Sequence, residues 1–244
     1  MTTSPIQNQS PQPPPIPGRL ALEPMPEGRS LVLVIEALLK YPGRIIYELQ
    51  NNWRAALAFW LLLLALFGTA AYGIVVGSFS GGTQLWMAPV KIAIGTLLSI
   101  VICLPSLYIF ACLAGIDARL RTTSGVLFAA VGLCAVLLIG FAPVAWIFSQ
   151  STGSVALMAA LHIGLWVIGI TFGLRLIGSM GRLLGGPARS HLKLWGLIFV
   201  VVCLQMMTTL RPIVGRSEHF LPGEKKFFLA HWIATMCGTN KQKR

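Results

Sequence analysis

Residues 125–148 read GVLFAAVGLCAVLLIGFAPVAWIF, 24 consecutive positions without a charged side chain. An α-helix rises 1.5 Å per residue, so such a run reaches roughly 36 Å, against a hydrocarbon core about 30 Å thick. The run offers no water-facing side, whereas in lipid a helix satisfies every backbone polar group within itself. On either side of it, comparable apolar runs occupy about 55–77, 88–115 and 155–178, and a shorter one at 194–210 only just reaches spanning length. These runs predict an all-α fold, a polytopic transmembrane helix bundle of about five spans.

Composition points the same way. Of 244 residues, 55% are hydrophobic and only 11% charged. A soluble domain carries roughly 25% charged residues. The 19 Lys and Arg outnumber the 7 Asp and Glu, for a net charge of +12. Such an excess can mark a nucleic-acid binder. Here, however, the cations flank apolar runs and form no aromatic-interleaved patch, so the expected partner is a lipid bilayer including anionic lipids, with no nucleic acid.

Charge placement predicts the orientation. Lys40, Arg44 and Arg54 precede the first run, Arg119 and Arg121 lie between the second and third, and Arg182, Arg189 and Lys193 follow the fourth. The 78–87 and 149–154 connections carry no charge. The positive-inside rule then puts the N-terminus in the cytoplasm, most simply at a bacterial inner membrane. Five spans send the tail outward, although it holds Arg211, Arg216, Lys225, Lys226, Lys241, Lys243 and Arg244. No cleavable signal sequence precedes the first run, which is expected to serve as its own signal.

The remaining segments divide at four places. Residues 1–28 are Pro-rich and read as a disordered tail. Residues 29–52 read as an amphipathic interfacial helix, with Glu36, Lys40, Arg44 and Glu48 forming one polar stripe and Pro42-Gly43 bending or breaking it. Residues 53–214 form the transmembrane domain, with Trp53, Trp86 and Trp146 expected at its interfaces. Residues 215–244 form a basic amphipathic tail, in which 224–233 suit a short surface helix.

Few residues inside the runs carry chemistry. No Asp or Glu falls within them, and Asp117 sits at a helix end beside Arg119. Coupled transport commonly uses an intramembrane carboxylate. Lys91 and Arg175 are near enough to run ends to snorkel. His162 is the ionisable group well inside a run, either a site or a neutral imidazole bonded across helices. Small residues recur at four-residue spacing in Gly73, Gly77 and Gly81, and again in Gly169 and Gly173, which suits close helix packing within one bundle or at a homodimer face. Pro105 and Pro143 lie inside the second and third runs and should bend them, as in the broken helices of transporters. Cys103, Cys112, Cys134 and Cys203 sit in apolar runs, and no C-x-x-C occurs. Metalloprotease, serine-elbow and phosphate-loop motifs are likewise missing from the sequence, so no catalytic residue, cofactor or metal is expected.

The layout resembles the Yip family and its bacterial relatives: a proline-rich tail, a helix before the membrane, then five spans. Leu104-Pro105-Ser106-Leu107-Tyr108 followed by Gly115 is similar to that family's second span, and Pro143 fits its third. Gln205, Met206, Leu210-Arg211-Pro212 and Gly215 are similar to the last span of bacterial members. The resemblance covers roughly residues 30–230. It implies membrane organisation, in eukaryotes vesicle traffic with small GTPases, and carries over no catalytic residues; the long basic tail departs from the eukaryotic pattern. Two functions follow as expectations. One is a non-enzymatic scaffold or accessory protein that associates with other membrane proteins or with itself. The other is a transporter or channel subunit for an uncoupled or apolar substrate.

Overall fold

The structure, a computed structural model, describes residues 22–25, 30–51, 55–117, 119–185 and 189–209. Among these it contains seven α-helices and no strand. Ser30 starts α1 (Leu31–Lys40) by accepting the Leu33 N–H at 3.2 Å. Tyr41 then leaves helical geometry, and Pro42 begins α2 (Pro42–Asn51). Proline suits a first helical turn, where its missing N–H costs nothing, but it disfavours helix in the residue before it. The amphipathic segment is therefore two helices.

The polar stripe of that segment divides between them. Glu36 and Lys40 form an exposed 3.1 Å ion pair, which pushes the Lys40 ammonium pKa upward. Arg44 and Glu48 turn instead to the chain before α1. Arg44 pairs with Glu23 at 3.0 Å, and Glu48, only 5% exposed, accepts the Met25 N–H at 3.1 Å. Residues 22–25, inside the stretch read as tail, are thus held on α2. The apolar side, with Leu38, Ile45, Ile46 and Leu49, is buried against the bundle. A Cβ on Gly125 would come within 2.5 Å of the Leu49 side chain, so a glycine lets α2 seat there.

Four long helices follow: α3 (Ala55–Ser80), α4 (Gln84–Leu113), α5 (Leu120–Ser151) and α6 (Val155–Leu183). Each is long and apolar enough to cross a membrane. Gly81 and Gly82 adopt φ of 65° and 56°, a left-handed geometry that lets α4 return directly beside α3. The axis of the bundle is α5: 61% of its apolar stretch is buried, against 22–39% in the other three. Helices α3 and α6 pack on α5, and α4 packs on α3. Around this core Phe67, Val101, Ile109 and Val167 remain exposed. Apolar sides this extensive are satisfied by lipid, and the chain is a helical membrane protein.

Helix α7 (Arg189–Thr209) docks chiefly on α4. The Trp195 indole N–H donates to Ser106 Oγ at 3.1 Å near the end of α4, and its ring stacks on Phe199 at 5.3 Å. Further along α7, Cys203 and Met206 line one cavity with Ser99, Thr96 and Lys91 of α4. The two helices therefore run antiparallel over roughly 16 Å, the rise from Trp195 to Met206.

Candidate functional site: polar groups inside the bundle

His162 projects from α6 toward α3, where Tyr72 meets it. The Tyr72 hydroxyl and His162 Nδ1 are 2.7 Å apart, with the rings edge to face at 5.6 Å and 87°. Both side chains are buried. The second ring nitrogen, Nε2, is buried as well and makes no hydrogen bond among the described residues. Whichever tautomer is present, one imidazole valence is used across helices and the other is not.

Lys91 corrects the sequence expectation. It does not snorkel to a boundary; its side chain is 0% exposed and lines a cavity of about 50 Å³ with Thr96, Ser99, Cys134 and Cys203. The physical reason is helix phase. Ala88, Ile92, Ser99 and Cys103 are buried on α4, and Lys91 lies four residues before Gly95 on the same inward stripe. The pattern Lys91, Gly95, Ser99 at four-residue spacing was the signal that could have revealed it. Ser99 donates its hydroxyl to Gly95 O at 2.8 Å, so this wall of the cavity is already partly satisfied.

The glycines occupy contacts between helices of this one chain. A Cβ on Gly73 would lie 2.6 Å from Pro89 Cα, so α3 and α4 touch backbone to backbone there. Gly77 is buried one turn further along. On α6 a Cβ at Gly169 would meet Cys134 Sγ at 2.7 Å, and one at Gly173 the Ala130 carbonyl oxygen at 2.8 Å. Gly173 also lines the Lys91 cavity, so the approach of α6 to α5 sets how small that cavity is.

The other candidates do not join this site. Pro105 and Pro143 are exposed, and α4 and α5 continue unbroken through them. Arg211 and Pro212 lie outside the described residues, as does Trp53. Trp86 and Trp146 are exposed at the end of the bundle formed by the α3–α4 and α5–α6 connections, while exposed Phe59 and Trp60, in edge contact at 6.2 Å, mark the opposite end of α3. Among the described residues no three His, Cys, Asp or Glu side chains gather as a metal-ligand set. No protein-family model matches the chain, and neither does any curated protein or solved structure.

Proposed function

We propose that the chain is a non-enzymatic membrane scaffold or accessory protein that organises a membrane or a membrane complex through its lateral surfaces. We take it to have five spans, with α1–α2 at the cytoplasmic boundary of a bacterial inner membrane, in the manner of the Yip family it resembles. The observation that carries this reading is the size of the interior cavity. About 50 Å³ holds a few waters, whereas pockets for organic ligands run to roughly 300–1,000 Å³. Elsewhere in the bundle the buried Tyr72 and His162 bond to each other across helices, and glycine contacts close the α3–α4 and α5–α6 seams. The outward apolar sides of α4 and α6 are by contrast extensive. They suit other membrane proteins or a second copy of this chain. Photo-crosslinking from positions 67, 109 and 167 in intact membranes tests it. Discrete protein adducts at one or more positions are expected, and lipid adducts alone at all three would count against the proposal.

A transporter or channel subunit is the second reading, favoured by one observation: a lysine buried at a cavity in the membrane-spanning region, where ionisable groups commonly mark ion or substrate pathways. Proteoliposome flux separates the two. Ion or solute flux that is lost in Lys91→Met or His162→Ala would establish transport, and its absence for every solute class leaves the scaffold.

A further inference from the structure

Between α6 and α7 lies a groove of about 550 Å³, eleven times the interior cavity and within the ligand-binding range. It exists because α7 leans on α4 and touches α6 only lightly. Its floor is small: a Cβ at Gly178 would meet nothing within 4 Å, so the space begins at the backbone itself. Its walls are apolar, with Leu174, Ile177, Leu197 and Val200 among them.

Three cations also line this groove: Arg175, Arg182 and Lys193. No Asp or Glu is among the lining residues, and Asp117, next to Ile116 at the mouth, is not one of them. Arg175 and Arg182 are two helical turns apart on one face of α6, roughly 10 Å. Lys193 faces them from the first turns of α7. Arg175 lies over the Phe172 ring at 5.4 Å and has no ion pair among the described residues. From Thr171 to Arg182 the groove runs about 16 Å along α6, close to the depth of one leaflet's hydrocarbon. An apolar slot of one-leaflet length with Arg182 and Lys193 at its mouth has the shape and charge of an anionic phospholipid's complement.

We propose that this groove holds one anionic phospholipid from the leaflet on the α6–α7 side, with its phosphate between Arg182 and Lys193 and an acyl chain over Gly178. The chain's own C-terminal stretch is a poor occupant, because it carries the same sign of charge. The inference rests on the membrane reading and deepens the lipid partnership within it.

The test is native mass spectrometry of the full chain, purified in mild detergent and titrated with phosphatidylglycerol or phosphatidylcholine of matched acyl chains. One phosphatidylglycerol should be retained preferentially. Arg182→Gln and Lys193→Gln should each weaken it about fivefold, the effect of one basic residue near an anionic surface. Gly178→Leu, which keeps all three charges, should remove the preference by filling the slot. Thermal melts of each variant report folding separately. Equal retention of both lipids, an unchanged preference in folded Gly178→Leu, or displacement by inorganic phosphate as readily as by lipid would overturn the proposal. Recovery of the chain from the soluble fraction of cells would instead overturn the membrane reading beneath it.

Discussion

Tyr72 and His162, 90 positions apart in sequence, share a 2.7 Å hydrogen bond that ties α3 to α6 inside the bundle. Tyr72→Phe removes one partner and leaves a buried imidazole with neither nitrogen bonded. In water-soluble proteins an orphaned buried polar group costs about 1–3 kcal/mol. Hydrogen bonds between membrane helices average nearer 0.6 kcal/mol. We therefore expect Tyr72→Phe to destabilise by about 1 kcal/mol in denaturant titrations of the micelle-bound protein. The double variant Tyr72→Phe/His162→Leu should recover much of that loss, because it leaves no orphan. A double variant less stable than the sum of the two single changes would contradict this account.

Glycine substitutions should sort by what a methyl group meets. At Gly73 it meets Pro89 backbone at 2.6 Å, and at Gly173 the Ala130 carbonyl oxygen at 2.8 Å, neither of which can rotate away. Gly73→Ala and Gly173→Ala should each cost about 1–3 kcal/mol through forced separation of helices. Gly140 has open space around it, so Gly140→Ala should be neutral or stabilise by up to about 1 kcal/mol. Equal melting temperatures for all three variants would show that these approaches are looser than they look.

The strap of residues 22–25 depends on two anchors of different strength. The Arg44–Glu23 pair is partly exposed, and such pairs contribute about 0–1 kcal/mol. Glu48 is buried and accepts a backbone N–H, a bond to a charged group worth about 1.5–3 kcal/mol. Hydrogen exchange at Met25 should therefore accelerate far more in Glu48→Ala than in Arg44→Ala. The reverse order would mean that the surface pair, not the buried carboxylate, fastens the strap.

What could be read in the sequence follows from what periodicity and length encode. The four long helices were legible because about 20 apolar residues have few other uses, yet α5 starts five residues before its apolar run. Thr122 explains the difference: it is buried against α2 and donates to Leu49 O at 3.2 Å, so tertiary contact extends the helix beyond its apolar part. The glycine spacing announced close approaches without saying to which helix, since spacing within one helix carries no information about its neighbour. The same limit hid the Tyr72–His162 pair. Glu48 was misleading for another reason. Four-residue recurrence put it on one stripe with Glu36 and Lys40, but the break at Tyr41 rotates α2 so that this carboxylate turns inward.

The side of the membrane on which α7 ends decides the number of spans. Among the described residues four helices are long and apolar enough to cross a membrane, and α7, at 21 residues, is shorter than any of them. A re-entrant α7 would return to the side it entered and leave the basic tail in the cytoplasm, as its charge favours. Yet α7 is a single 21-residue helix, about 31 Å long, without an internal proline. It runs antiparallel along α4 from Ser106 toward Lys91, and α4 itself is long enough to cross. A helix that keeps pace with a spanning partner over roughly 16 Å is more than halfway across a hydrocarbon core about 30 Å thick. We therefore expect a reporter active only in the cytoplasm to be silent when fused after Arg244 and active when fused after Gly185. A strong signal at Arg244 would make α7 a surface or re-entrant element and reduce the protein to four spans.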